Sequence, residues 1–101
     1  MKLLLITAVR EFGKDIKVLL KKSGVKVFSY QEVTGHKDLT NEPMTGNWFA
    51  SDAHEFESIL FYAFVEENLV ELVFEKVGEY NGKLKSQSHL HVTMLNIEKS
   101  N

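Results

Sequence analysis

Three sets of residues in this chain have types and spacings that could do chemistry. Gly82, Lys83 and Lys85 lie in a polar stretch, Gly82–Ser88 (GKLKSQS), that holds two lysines and no acid. A glycine lets backbone N–H groups approach a phosphate, and lysines supply charge, so the stretch suits a small anion. The plainer reading is a helix C-terminus with solvated lysines. The four histidines form the second set. His36 and His54, with Asp38, Asp52 and Glu55 as oxygen donors, could hold a divalent cation; their spacing matches no tight metal motif, so polar side chains simply facing water are the competing account. His89 and His91 alternate, which on a strand places both on one face, a geometry open to a transition metal or to an incidental subunit contact. Third, Trp48 and Phe49 stand among polar residues, where an adjacent aromatic pair either anchors a partner or tucks back onto the core.

The elements that must position these groups follow from periodicity. Lys2–Val9 is a nearly continuous apolar run, the pattern of a strand buried on both faces. Beyond Gly13, the apolar residues Ile16, Leu19 and Leu20 recur at helical spacing, with Lys14, Lys17 and Lys21 opposite; Ser23-Gly24 ends that helix. Val25–Thr34 and Ser58–Val65 read as strands two and three. Asn68 and Glu71 have capping-box spacing and predict the start of a second helix, which Asn81-Gly82 stops. His89–Ile97 is the fourth strand. The order is β-α-β-β-α-β. It predicts an α+β, ferredoxin-like single domain: an antiparallel four-stranded sheet with two helices on one face.

Between strands two and three lies the long run Gly35–Glu57, with the only proline and the only tryptophan. A connection this long in a small domain is usually functional or disordered. Strands one and three are apolar on both faces, so the face without helices predicts a homo-oligomer.

Composition bounds the function. With 101 residues the chain is one domain, and its net charge of −2 gives no support for binding nucleic acid. There is no cysteine, hence no disulfide, thiolate metal site or cysteine nucleophile. The apolar start is too short to span a bilayer and carries no small-residue cleavage site, so a cytoplasmic protein, not itself inserted in a membrane, is expected. No nucleophile–base pair is evident, and the expectation is a protein that is not an enzyme.

In this order the chain resembles the PII-like signalling proteins, through three short segments. They are Glu32-Val33-Thr34-Gly35, Val65-Glu66-Glu67-Asn68 and Asn81-Gly82-Lys83-Leu84. The family carries E-V-x-G at the first place and T-G-K-I-G-D-G-K at the last. The resemblance implies a homotrimer with sheets packed inward and a long loop that docks a partner, commonly a transporter. It also implies a small anionic effector, often an adenine nucleotide, in a cleft between subunits. The base of the loop (Gly35 and Lys37) and the stretch with Gly82, Lys83 and Lys85 would wall that cleft. The chain departs from the family where His36-Lys37-Asp38 replaces G-R-Q, and its long run has no tyrosine to uridylylate. A CutA-type trimer binding a divalent metal through His36, His54, His89 and His91, linked to metal tolerance or efflux, shares the same core and is the alternative.

Overall fold

The computed structural model describes residues 1–37, 55–85 and 88–101. Strand β1 (Lys2–Val9) leads through a 3₁₀ turn (Arg10–Phe12) into helix α1 (Gly13–Lys22). Strands β2 (Ser29–His36) and β3 (Glu55–Val65) follow, then helix α2 (Glu67–Lys83) and strand β4 (His91–Asn96). All pairings are antiparallel, in the order β2-β3-β1-β4, and the architecture is the expected α+β, ferredoxin-like one.

Side-chain alternation divides the sheet. Leu4, Ile6 and Ala8 of β1 and Ile59, Phe61, Ala63 and Val65 of β3 are buried under the helices. Ile16, Leu19 and Leu20 of α1 and Val70, Val73 and Val77 of α2 meet them from the other side. Directly paired residues share a face, so Leu3 lines up with Phe64 and Leu95 on the opposite side, and Leu5 with Tyr62 and Thr93. No helix or strand among the described residues covers that side. Tyr62, Phe64 and Leu95 stand exposed there.

The close of α1 is as the sequence predicts. Gly24 adopts φ +90°, its N–H bonds to Lys21 C=O at 3.1 Å, and Val25 N–H reaches back to Leu20 C=O at 3.0 Å. This is a Schellman cap, and it drops Val25 into the core as its apolar contact. For that reason β2 begins at Ser29 and not at Val25. Both β2 and β3 also reach further than expected at the end where they are connected. Gly35 pairs with Phe56 and His36 with Glu55, so the β2–β3 hairpin runs three residues beyond the Val9–Ser58 rung that ends β1. The connection is therefore confined to 37–54.

Two expectations at α2 and one at β4 need correction. The helix opens at Glu67 behind an extended Glu66, with no side-chain cap, so Asn68 is not its cap. Leu69 N–H bonds to Glu66 C=O at 3.0 Å and closes the first turn without one. At the other end Asn81-Gly82 does not stop the helix, and Gly82 and Lys83 are helical. Asn81 is instead tied to the incoming strand. Its amide donates to Leu90 C=O and accepts from Leu90 N–H, both at 2.9 Å. Finally, β4 begins at His91, so His89 precedes the strand and does not share a strand face with it.

Candidate functional site

Antiparallel pairing brings the singled-out residues to one end of the sheet. The C-terminal ends of β1 and β2 and the N-terminal ends of β3 and β4 lie together there, with the start of α1 and the end of α2. His36, Lys37, Lys83, Lys85, His89 and His91 all belong to this end. They do not converge on one point. His36 and His91 sit on the two opposite edge strands, three inter-strand spacings apart and, because His91 is level with Gln31, five residues apart along the strands as well, roughly 20 Å or more in all. They also face opposite sides of the sheet, His91 lying in the row of Thr7, Leu60 and Gln31, and His36 on the helix side. One chain therefore does not bring these two histidines to a shared metal. Among the described residues no group of three metal-ligating side chains is close enough to hold a cation. His54, Trp48 and Phe49 lie outside the described residues.

Gly35 has a structural role. A methyl group there would collide with the Phe56 ring, which rests across the glycine from the paired strand. An aromatic covering a cross-strand glycine is a known way to stabilise a weak strand position. The neighbouring rung is closed by His36 Nδ1 and Glu55 Oε2 at 2.8 Å. Both side chains are well exposed, so the pair contributes little to stability.

Arg10 is the residue that sequence reasoning missed. It follows β1 on the 3₁₀ turn and reaches across the hairpin base. One guanidinium nitrogen donates to Glu57 at 2.8 Å, and another lies 3.3 Å from Glu32. Glu32, the first residue of the E-V-x-G segment, is thereby engaged in holding the hairpin to the body of the fold. Both partners of Arg10 are distant in sequence, so no local signal marks it.

Lys83 comes to an unexpected place. Because α2 continues through it, its side chain lines a groove of about 350 Å³ between the two helices, on the side away from the sheet. Asp15, Val18, Leu19 and Lys22 form one wall, and Lys76, Glu79 and Tyr80 share the other with Lys83. Tyr80 donates its O–H to Asp15 Oδ2 at 2.5 Å, and its ring meets Phe12 edge-on at 5.9 Å. Burial, then the hydrogen bond to and charge of Asp15, and the charge of Glu11, push the Tyr80 phenol up to about 12. Gly82, by contrast, has open space where a side chain would stand, and its backbone is committed to the helix. The glycine-and-lysine phosphate loop expected at Gly82–Ser88 is therefore not formed by Gly82 and Lys83. Lys85 lies past the helix and is exposed.

The fold and these contacts define an α+β protein of ferredoxin-like topology with an apolar sheet face left open. No known family model matches the chain, and no curated protein matches it either. No helix among the described residues is long and apolar enough to cross a membrane.

Proposed function

We propose that this chain is a PII-like regulatory protein. It assembles as a trimer through its open sheet face, senses a small anion at the clefts between subunits, and docks a partner through the 37–54 connection. The observation that carries this reading is the apolar open face: Leu3, Leu5, Tyr62, Phe64 and Leu95 form a continuous patch on the side away from the helices. Solitary soluble domains rarely leave such a surface in water. Further support is the hairpin that projects beyond β1 and holds the connection at one end. Gly35, Lys37, Lys83 and Lys85 all belong to that end, beside which a neighbouring subunit would form the cleft. The effector is a small anion such as an adenine nucleotide, the docking partner is a membrane transporter, and the setting is cytoplasmic.

Size-exclusion chromatography with light scattering tests the assembly. The expected mass is three times the 11.6 kDa of the chain, and Phe64→Lys should reduce it to one. A stable monomer for the unmodified chain sinks the reading. A thermal-shift panel of adenine nucleotides and divalent metals then separates the ligands. Stabilisation by Cu(II) or Zn(II) that is lost on His91→Ala, with none by nucleotides, would transfer the proposal to the CutA-type alternative.

A further inference from the structure

We propose that the groove between α1 and α2 is a second ligand site, one that takes a small organic anion with an apolar body. It faces away from the sheet, so it is independent of the clefts between subunits and of assembly itself.

The opening is of the size that small-molecule sites have, about 300–1,000 Å³. Its charges are segregated: Asp15 lies at the Tyr80 end, where the charge of Glu11 is also felt, whereas Lys22 and Lys76 lie further along the groove. Asp15 accepts the Tyr80 hydroxyl, and among the described residues none of Lys22, Lys76 and Lys83 forms an ion pair. Lys76 is partly buried, its stem lying along the apolar side of the groove.

The Asp15–Tyr80 contact sets the register of the two antiparallel helices. Lys76 lies one turn before Tyr80, and Leu19 one turn after Asp15, so these two come side by side, with Lys22 just beyond. That end of the groove offers two ammonium groups beside an apolar floor. Val18 contributes to the floor and is half exposed, a β-branched residue on a helix whose outer side remains open. A carboxylate or phosphate between Lys22 and Lys76, with a ring or short chain over Val18 and Leu19, satisfies both features. Lysines act as point charges and do not select between those anions.

The test is a ¹H–¹⁵N NMR titration of the full chain with AMP, with benzoate and with inorganic phosphate. AMP or benzoate should shift the amides of Val18, Leu19, Lys22 and Lys76 saturably, and phosphate alone should do so more weakly. Combined Lys22→Gln and Lys76→Gln should weaken that binding by about tenfold or more. Lys21→Gln, on the same helix but outside the groove, should leave it unchanged. The proposal is overturned if neither organic anion shifts these amides, or if the double variant binds as well as the original. Shifts confined to 35–37 and Lys85 also overturn it, while supporting the cleft between subunits proposed above. Conversely, groove binding by a monomer would uphold this site and remove the trimer.

Discussion

On the helix side of the sheet Phe61 keeps 1% of its surface exposed, whereas on the other side its neighbours Tyr62 and Phe64 keep 39% and 58%. The residues are chemically alike and adjacent on one strand. What differs is that α1 and α2 lie over one of the two faces. Phe61 also stacks with Tyr30 at 5.0 Å between ring centroids and meets Phe28 at 5.8 Å, so it is held by aromatic contacts as well as by burial. Fully burying a phenylalanine is worth about 1.5–3 kcal/mol relative to leaving it exposed. In the single chain Phe61 contributes that free energy to folding. Phe64 and Tyr62 hold most of theirs in reserve until another surface covers them.

The largest expected effect follows from this contrast. Phe61→Ala should destabilise the chain by about 3–5 kcal/mol, a large part of a domain's total stability. Phe64→Ala should change the dilute, dissociated chain by less than about 1 kcal/mol. It should nevertheless abolish any dependence of the melting temperature on protein concentration, because assembly stabilises by mass action. Urea unfolding at low and high protein concentration reads both quantities. Equal destabilisation of the dilute chain by the two substitutions would show that the faces are not distinct.

The order of elements, the Gly24 cap and the two-sided apolar strands were legible because each rests on local pattern: period, a cap residue, an alternation. The boundaries that were misread depend on partners distant in sequence. Nothing near Asn81 indicates that its amide will bond the Leu90 backbone and let the helix run on to Lys83. Glu55 and Glu57 read as loop acids until His36 and Arg10 are placed beside them by pairing. For the histidines, proximity in sequence pairs His36 with His54 and His89 with His91, and only the strand order shows that His36 and His91 lie on opposite edges.

A second prediction concerns the seam where the helix layer meets the edge of the sheet. Asn81→Ala removes both partners of the Leu90 backbone, in a residue that is itself buried. Leaving a buried donor and acceptor unpaired costs about 1–3 kcal/mol. Hydrogen exchange at the start of β4 should accelerate in step. If denaturant unfolding shows no loss, the helix layer is not secured to β4 through this side chain.

Two glycines then sharpen the difference between a residue the fold requires and one it merely tolerates. Gly24→Ala forces a side chain to φ +90° and should destabilise by about 1 kcal/mol. Gly82→Ala places a better helix former where nothing stands within 4 Å, and should stabilise by about 0.5–1 kcal/mol. Opposite signs for the same substitution are the expected result in thermal unfolding. Destabilisation by Gly82→Ala would mean that its backbone is needed outside the helix, as a phosphate loop would need it.

The smallest effect lies on the outer surface of the helix layer, where the two faces of the sheet should make no difference. The Tyr80 phenol titrates near 10.0 when unfolded and at about 12 in the fold, because burial and the Asp15 carboxylate disfavour the phenolate. A group whose folded pKa is raised stabilises the fold in full below its unfolded pKa, and that contribution is lost as pH rises through the folded value. The stability gap between the original chain and Tyr80→Phe should therefore be constant below pH 10 and shrink as pH rises toward 12. Phe64→Ala should leave this profile where it is, because the groove and the open face lie on opposite sides of the sheet. A profile that moved with Phe64→Ala would mean that the two surfaces are coupled through the core, and a ligand in the groove could then influence assembly.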